Sequence, residues 1–251
     1  MRVIVNGSNG RMGREVVRMI QEGYAGVEVV AGVDINNSAA EKFPIYENIE
    51  DFVGEADCII DFSHHSVTKR LMDFAVDRKI PVVVATTGHT EEELDMIDEA
   101  SKNVPLFRSA NMSVGIALLV NLAKTAAKAF PQADIEIIEK HHNQKIDAPS
   151  GTALAIADAI GEVLEEKPAY TYDRHSVRKK RGKDEIGIHA VRGGTIVGEH
   201  EIIFAGADEV IELKHHAASK EIFAVGAIRA AIFMQNKAPG MYSMTDLVAE
   251  I

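Results

Sequence analysis

The sequence has 251 residues, of which 46% are hydrophobic, and this length and composition are typical of a globular chain with one large or two modest domains. Its 27 Lys and Arg against 38 Asp and Glu give a formal net charge of −11. The acidic balance argues against a general nucleic-acid binder, and no apolar run reaches the roughly 18 to 20 residues that span a bilayer. Cys58 is the only cysteine, so no intrachain disulfide can form, and we expect a cytoplasmic protein.

The first 110 residues alternate short apolar runs with segments of helical periodicity. The apolar runs predict strands at residues 3–6, 27–33, 58–62, 82–85 and 106–109. Most are apolar at consecutive positions, which is typical of parallel strands buried on both faces. Helices are predicted between them at residues 14–22, 67–78 and 91–102, the last after Thr90 as N-cap. This alternation predicts an α/β domain with a Rossmann-type, doubly wound parallel sheet.

The pattern changes after Met112. Helices are predicted at residues 115–130 and 152–166, and strands at residues 133–141, 185–191, 195–205 and 209–215. Consecutive strands indicate a mixed or antiparallel sheet, so the second domain is expected to be a smaller α+β domain. The polar, basic stretch 167–183 is predicted to be a loop, and residues 218–234 and 245–249 are predicted to be helical.

The turn after the first strand, residues 7–13, carries three glycines in the spacing Gly-x-x-Gly-x-x-Gly. Glycine allows a tight turn and a close approach of the backbone to a pyrophosphate, and a helix N-terminus attracts phosphate groups. The commoner fingerprint is Gly-x-Gly-x-x-Gly, and a purely structural turn is the alternative. Asp34 ends the second strand, where a carboxylate either accepts hydrogen bonds from an adenosine ribose or stays solvated.

Polar turns follow the next three strands. They are Asp61-Phe62-Ser63, Thr86-Thr87-Gly88 and Ser109-Ala110-Asn111-Met112. Open α/β sheets bind ligands at the carboxyl ends of their parallel strands, so we expect these turns to line the cofactor site. Any one of them could instead be ordinary turn chemistry.

The segment 136–153 holds the densest group of reactive side chains. His141, His142 and Lys145 form a cationic, proton-donating cluster at the end of a predicted strand. Residues 150–152 begin the next helix, whose N-terminal N–H groups can bind an anion. Together these groups would hold a small carboxylate beside proton donors. The alternative is a polar loop that leads into a well-capped helix.

Two further features have simpler interpretations. The adjacent pairs His64-His65 and His215-His216 are expected to point their side chains apart, as neighbours on a strand do. With no His-Glu-x-x-His motif and no second cysteine, no metal site is expected. The basic residues within 174–183 are expected to form a solvated loop rather than a nucleic-acid site.

The segment from Glu136 to Ala153 resembles the signature of the 4-hydroxy-tetrahydrodipicolinate (dihydrodipicolinate) reductase family. The pattern Glu-x-x-Glu-x-His-x-x-x-Lys-x-Asp-x-Pro-Ser-Gly-Thr-Ala is met at every fixed position. The resemblance extends over nearly the whole chain, through residues 7–13, 61–63, 86–88, 111–115, 197–200 and 226–229. It implies reduction of a cyclic dicarboxylated imine by NADH or NADPH, with loss of water to give tetrahydrodipicolinate, in the diaminopimelate route to lysine.

The resemblance also implies roles for individual residues. His141 would be the proton donor and acceptor and Lys145 the proton donor, while His142 and the backbone of Gly151 and Thr152 would hold a substrate carboxylate. The implied cofactor contacts are Gly7, Ser8, Asn9, Gly10, Arg11, Met12, Asp34, Ala85, Thr86, Thr87, Ser109, Ala110, Asn111 and Met112. The family is typically homotetrameric, with a discontinuous cofactor domain. This implies a cofactor domain of residues 1–112 and 222–251 and a substrate-binding and tetramerisation domain of residues 113–221.

Three residues depart from the family pattern. Ala85 replaces a common glycine, Met112 replaces a frequent phenylalanine, and Ile35 stands where NADPH-favouring members often carry arginine. Because Asp34 is acidic and Ile35 is uncharged, we expect NADH to be preferred. Arg11 in the glycine turn and Lys42 further along the chain are cations that could reach a 2′-phosphate, so we expect NADPH to be used as well. Two other functions stay open: an NAD-dependent dehydrogenase of another small amino or keto acid, and a non-catalytic dinucleotide-sensing module. A sensor would not need proton donors beside an anion site.

Overall fold

A computed structural model of the protein describes residues 1–37 and 42–251. Its strands are β1 (Arg2–Asn6), β2 (Glu28–Val33), β3 (Ile45–Tyr46), β4 (Cys58–Asp61), β5 (Val82–Val84), β6 (Pro105–Arg108), β7 (Asp134–His141), β8 (Ala169–Thr171), β9 (Glu185–Arg192), β10 (Gly198–Ala205), β11 (Val210–Ala217) and β12 (Gly240–Tyr242). Its helices are α1 (Arg11–Gln21), α2 (Thr68–Arg78), α3 (Glu91–Ser101), α4 (Val114–Ala129), α5 (Gly151–Gly161), α6 (Glu221–Phe233) and α7 (Met244–Ala249). Within the described ranges, no helix is long and apolar enough to cross a membrane.

The chain divides into two compact units. The first combines Met1–Val114 with Glu221–Ile251, and the second is Gly115–Lys220. Each unit has a sheet and a hydrophobic core of its own.

The first unit contains a sheet of seven strands in the order β12-β6-β5-β4-β1-β2-β3. Every pair of neighbours in it is parallel. Val3, Ile4 and Val5 on β1 are all 0% exposed, as expected where helices cover both faces of a parallel sheet. The Rossmann-type prediction is therefore confirmed.

Local sequence explains where the helices of this unit begin. At the start of α3, the Thr90 hydroxyl accepts a hydrogen bond from the backbone of Glu93, whose carboxylate accepts the backbone N–H of Thr90 in return. This capping box satisfies two N–H groups that the first turn of a helix otherwise leaves unpaired. The prediction of Thr90 as N-cap is confirmed.

The second unit contains a mixed sheet of five strands in the order β11-β10-β7-β9-β8. β10 runs antiparallel to β7 and β11, whereas β9 runs parallel to β7 and β8. One face of the sheet packs with α4 and α5 around buried side chains such as Ile137, Ile156, Ile188 and Phe204. The predicted α+β domain with a mixed sheet is confirmed.

Two predictions of local structure were wrong, and two short strands were missed. The helix predicted to continue to residue 166 ends at Gly161, where the chain turns back and Pro168 packs against it. The predicted loop 167–183 contains β8, and neither β3 nor β12 was predicted at all. These three strands have two or three residues each, which is too short for a periodic pattern, and their pairing depends on a neighbouring strand that is already in place.

The expectation for the histidine pairs holds for one pair and fails for the other. His215 and His216 lie on β11, where the first is half-buried and the second exposed. His64 is instead the N-cap of a 3-10 helix that begins at His65, and the two rings lie close together, with centroids 4.2 Å apart and planes tilted by 36°. Among the residues that the structure describes, no group of three or more His, Cys, Asp or Glu is arranged to hold a metal ion.

Candidate active site

The turn between β1 and α1 requires glycine at two positions. Gly7 has a φ of +78°, and a Cβ atom there would lie 2.5 Å from the carbonyl oxygen of Phe62. A Cβ on Gly13 would lie 2.0 Å from the carbonyl oxygen of Gly7. The first turn of helix α1 therefore packs directly against the backbone of the glycine turn. This glycine cradle fits a pyrophosphate, because it leads into the N-terminus of α1, where the first N–H groups and the positive end of the helix attract an anion and glycine leaves space for it.

Asp34 is held in place by backbone groups at the end of β2. Its Oδ2 accepts a hydrogen bond from the backbone N–H of Asn9 at 2.9 Å, and its Oδ1 accepts that of Asn36 at 2.9 Å. The side-chain amide of Asn9 also donates to the carbonyl oxygen of Asn36. The glycine turn is thus tied to the residues that follow β2. Sequence reasoning selected Asp34 but did not foresee these partners.

Two adjoining clefts lie at the carboxyl ends of the parallel strands, with volumes of about 300 and 470 Å³. The smaller is lined by the predicted residues Gly7, Gly10 and Asp34. The larger is lined by the predicted residues Arg11, Met12, Ala85, Thr86, Thr87, Ser109, Ala110, Asn111 and Met112. Of the other two predicted residues, Ser8 is buried with its Oγ against Gly32, and Asn9 makes the contacts to Asp34 and Asn36. Neither lines the clefts.

Several residues that line the clefts were missed. Phe223 of α6 lines the larger cleft, although it is far from the other lining residues in the sequence. Arg70 of α2 lines the smaller cleft together with Glu47 and Asn48, and its guanidinium is paired with Glu50 at 2.8 Å. No local motif marks these residues. They reach the clefts only because α2, α6 and the segment after β3 pack beside the sheet.

Asp61 lies beneath the clefts rather than in their lining. It is 2% exposed, and its Oδ1 accepts hydrogen bonds from Asn6 Nδ2 at 2.8 Å and from Ser63 Oγ at 2.5 Å. Burial raises the pKa of this carboxyl group, and the hydrogen bonds oppose that effect. Asp61 therefore joins the ends of β1 and β4 and shapes the floor of the site.

In the second unit, His141 ends β7 and contacts the buried carboxylate of Glu139. The distance from His141 Nδ1 to Glu139 Oε2 is 2.6 Å. Arg192 of β9 pairs with the same carboxylate through two hydrogen bonds of 2.7 Å. Burial alone would raise the pKa of Glu139, but hydrogen bonds from Arg192, His141 and the backbone of Ser150 outweigh it and hold the pKa below its usual value. Glu139 is therefore ionised at neutral pH.

A second histidine, His200 of β10, packs against His141. It is 5% exposed, its ring meets that of His141 edge-on with centroids 5.3 Å apart, and its Nε2 lies 3.2 Å from Ser150 Oγ. Burial, together with the nearby charge of His141, lowers the pKa of His200 to about 4. His200 is neutral at pH 7 and serves as a packing and hydrogen-bonding partner.

The other predicted residues of this site follow in one short segment. The backbone N–H of Lys145 donates to the carbonyl oxygen of His142, and Lys145 Nζ pairs with Asp147 Oδ1 at 2.8 Å. The Lys145 hydrogen bond holds the pKa of Asp147 below its usual value. Helix α5 then begins at Gly151 and Thr152, with Ser150 as the N-cap that accepts the backbone N–H of Ala153. An imidazole, an ammonium group and a helix N-terminus thus lie on one segment.

The parallel sheet, the glycine cradle and the clefts at the strand ends define a Rossmann-type dinucleotide-binding domain, joined to a second unit with proton-donating groups. This combination is that of the NAD(P)-dependent oxidoreductases.

Comparison with known proteins gives the particular family. Residues 1–112 match the family model described as dihydrodipicolinate reductase, N-terminus, and residues 115–248 match dihydrodipicolinate reductase, C-terminus. The chain is 54% identical over 248 residues to the 4-hydroxy-tetrahydrodipicolinate reductase of Caldanaerobacter subterraneus subsp. tengcongensis, covering 99% of this chain and 98% of that protein. It is 49% identical over 245 residues to the protein of the same name from Clostridium tetani, covering 97% and 95%.

A solved structure agrees with these matches. The dipicolinate-bound dihydrodipicolinate reductase from Paenisporosarcina sp. TG-14 superimposes with a TM-score of 0.81 at 27% identity, over 97% of each chain. The chain therefore belongs to the dihydrodipicolinate reductase family, whose members are NAD(P)H-dependent oxidoreductases.

Proposed function

We propose that this protein reduces 4-hydroxy-tetrahydrodipicolinate to tetrahydrodipicolinate with NADH or NADPH and loss of water, in the diaminopimelate route to lysine. The observation that carries the proposal is the site on β7 and α5. There His141, backed by a buried carboxylate, lies within one short segment of Lys145 and a capped helix N-terminus. We assign cofactor binding to residues 1–112 and 222–251 and substrate binding to residues 113–221.

The cofactor site is assigned to the glycine cradle, Asp34 and the two clefts of the first unit. The turn at residues 7–12 would hold the pyrophosphate, mainly through the N–H groups at the start of α1, because those of residues 7–10 already donate within the protein. Asp34 would accept hydrogen bonds from the adenosine ribose. Residues 85–87 and 109–112 would line the remainder of the cofactor site. The bound nicotinamide supplies a hydride, so the protein has to position the reactants and manage protons and charge.

The dicarboxylate is assigned to His142 and the first turn of α5. The solved relative whose structure matches this chain binds dipicolinate, a planar ring with two carboxylates. The N–H groups of Gly151 and Thr152 lie at the positive end of α5, which favours an anion. Among the described residues, none forms a hydrogen bond with the His142 side chain, so this imidazole is available to the substrate.

Proton transfer is assigned to His141, as donor and acceptor, and to Lys145, as donor. Because an ionised carboxylate only accepts hydrogen bonds, the Nδ1 atom of His141 donates to Glu139 and Nε2 remains for proton exchange. Lys145 Nζ is oriented by Asp147. Reduction of the conjugated imine leaves electron density that one of these two groups protonates.

We propose that NADH is preferred over NADPH. Asp34 is fixed at the ribose end of the smaller cleft, and a 2′-phosphate would meet its negative charge there. Glu47 also lines this cleft, and the cation that lines it, Arg70, is paired with Glu50. Ile35 adds no charge. Arg11 lines the larger cleft and Lys42 follows β2 in the sequence, and because both are cations we expect NADPH to be used as well.

We further propose a cytoplasmic homotetramer, joined through the second units. On the face of the five-stranded sheet opposite α4 and α5, two exposed apolar side chains lie among charged ones such as Lys140, Glu199 and Lys214. Val191 is 44% exposed and Val210 is 57% exposed. Single apolar side chains of this kind are common on protein surfaces, so the proposed assembly rests on the likeness to the family.

A coupled assay tests the proposed function. Pyruvate and aspartate semialdehyde are condensed enzymatically, the protein is added, and nicotinamide absorbance is followed. We expect oxidation of NADH that depends on the condensation product. A protein that binds NADH without oxidising it would be a dinucleotide sensor. One that oxidises NADH only with other amino or keto acids would be a different dehydrogenase.

A further inference from the structure

Glu139 and His141 lie two residues apart on β7, so their side chains share one face of the sheet. Glu139 is 0% exposed, and its carboxylate accepts four hydrogen bonds from the surrounding residues. Oε2 accepts from His141 Nδ1 at 2.6 Å and from Arg192 Nη1 at 2.7 Å. Oε1 accepts from Arg192 Nη2 at 2.7 Å and from the backbone N–H of Ser150 at 3.0 Å.

We propose that Glu139 is a positioning residue that fixes both parts of the site with one carboxylate: the tautomer and orientation of His141, and the N-terminus of α5. Arg192 is the counter-ion that keeps this carboxylate ionised. The proposal rests on the function proposed above for His141, Gly151 and Thr152. Glu139 does not contact the substrate itself, and it acts through these residues.

The effect on His141 follows from hydrogen-bond chemistry. An ionised carboxylate at Nδ1 requires the proton on Nδ1, which leaves Nε2 as the basic nitrogen. Gly198 of β10 lies beside Nε2, and a Cβ atom there would be 3.1 Å away. Glu139 therefore fixes the His141 ring through Nδ1, and the absence of a side chain at Gly198 leaves space beside Nε2.

The effect on the anion site follows from the Ser150 contact. Ser150 is the N-cap of α5, so the hydrogen bond from its backbone to Glu139 fixes the start of the helix relative to His141. Arg192 extends the same network, because Nη2 also donates to the carbonyl oxygen of Asp147 at 2.6 Å. The loop that carries Lys145 is thereby tied to the same ion pair.

The sheet does not need a charge at this position. The preceding residues on the same face, Ile135 and Ile137, are apolar and buried. Burying a carboxylate and a guanidinium has a desolvation cost that their attraction only offsets with good geometry, so an apolar residue would fill the space more cheaply. The ion pair therefore serves the site rather than the core.

The same strand offers a matched control on its opposite face. Glu136 also pairs with an arginine and a histidine, at 3.1 Å to Arg181 Nε and 2.8 Å to His189 Nε2. It has no contact with His141 or α5 among its hydrogen bonds and ion pairs. Glu136→Gln therefore removes a carboxylate from a similar triad without touching the site.

The experiment compares E139Q with E136Q in the full-length protein. We expect E139Q to lower kcat roughly 10²-fold, the usual contribution of a positioned acid or base, and to raise the Kd of pyridine-2,6-dicarboxylate at least fivefold. The Kd of NADH, which is assigned to the other unit, should stay unchanged. E136Q should keep kcat within twofold of the wild type. Equal effects of the two substitutions on kcat and Kd would overturn the proposal.

Nitrogen NMR of His141 gives a readout that a purely structural role would not change. In the wild-type protein we expect the neutral ring to carry its proton on Nδ1, and in E139Q a mixture of the two tautomers. A wild-type ring protonated on Nε2 overturns the proposal even if E139Q fails to fold. If E139Q does not fold, the double variant E139Q/R192M replaces it in the same measurements, because it lacks the ion pair and keeps the net charge of the protein unchanged. If the wild type proves inactive in the coupled assay, the proposed function fails, while the tautomer and the dicarboxylate Kd still test Glu139.

Discussion

At the scale of single residues, His141 and Lys145 are the proposed proton donors, and their substitution tests the assigned roles. We expect His141→Ala and Lys145→Ala each to lower kcat roughly 10²-fold or more, because each removes a positioned proton donor. The Kd of NADH should change little. His175→Ala, in a loop where that side chain is 83% exposed, is the control. Turnover like that of the wild type in both active-site variants would contradict the assignment.

His200 makes the stability of the protein depend on pH. Its pKa is about 4 in the folded state against 6.5 for the unperturbed side chain. Between these values the unfolded chain binds a proton that the folded chain does not, so the free energy of unfolding falls as the pH falls. The depressed pKa of Glu139 acts in the same direction once the pH approaches that pKa.

The contribution of His200 can be isolated by substitution. We expect the wild type to lose up to about 3 kcal/mol of unfolding free energy from this group between about pH 7 and pH 4, since one pKa unit corresponds to about 1.4 kcal/mol. His200→Gln, which keeps a polar group near Ser150, should show a shallower decline in urea unfolding. Parallel pH curves for the two proteins would rule out this role.

Cys58 shows how burial decides reactivity. It is 0% exposed on β4, and burial raises the pKa of its thiol to about 12. The thiolate is the reactive form, so this cysteine is chemically inert in the folded protein.

Among the elements, the N-terminus of α5 is assigned, together with His142, to the substrate carboxylate. We expect pyridine-2,6-dicarboxylate to compete with the substrate and to bind more weakly as salt screens the opposite charges. His142→Ala should raise KM more than it lowers kcat, because it removes binding that the ground state and transition state share. An inhibition constant that is the same in His142→Ala and the wild type would count against the site.

We assign cofactor preference to the end of β2. We expect kcat/KM for NADH to exceed that for NADPH at one fixed ionic strength, because Asp34 is fixed beside the ribose position. Ile35 is 90% exposed, so Ile35→Arg should fold normally and move the ratio towards NADPH by offering a planar, bidentate phosphate ligand.

The control for this substitution is Val53→Arg, which adds the same charge at another apolar residue, 87% exposed, that does not line the clefts. It should leave the ratio unchanged. A wild-type enzyme that prefers NADPH tenfold, about 1.4 kcal/mol, would mean that Arg11 or Lys42 outweighs Asp34.

At the scale of the whole molecule, the chain combines two units with different sheet types, and each type follows from its sequence pattern. Parallel strands in the first unit are buried on both faces and read as continuous apolar runs, as Val82–Val84 does. Strand β10 of the second unit alternates buried and half-buried residues, because only one of its faces packs on helices. The change of pattern after Met112 could therefore be predicted from sequence.

The sequence by itself determined the fold class, the glycine turn, the caps of α3 and α5, and the family. All of these are local: they depend on residues within one strand, one turn or one contiguous signature such as residues 136–153. Local spacing controls capping, turn geometry and burial periodicity, so it can be read along the chain.

The tertiary structure decided which distant residues complete each site. Arg192 reaches Glu139 from 53 residues away because β9 pairs with β7 in a register that places Arg192 beside His141. His200 contacts the His141 ring because β10 pairs with β7. Phe223 lines the larger cleft because the chain re-enters the first unit at α6. A local pattern indicates which face of a strand is buried, but which strands become neighbours, and which helix packs back on a distant part of the chain, depends on the packing of the whole core.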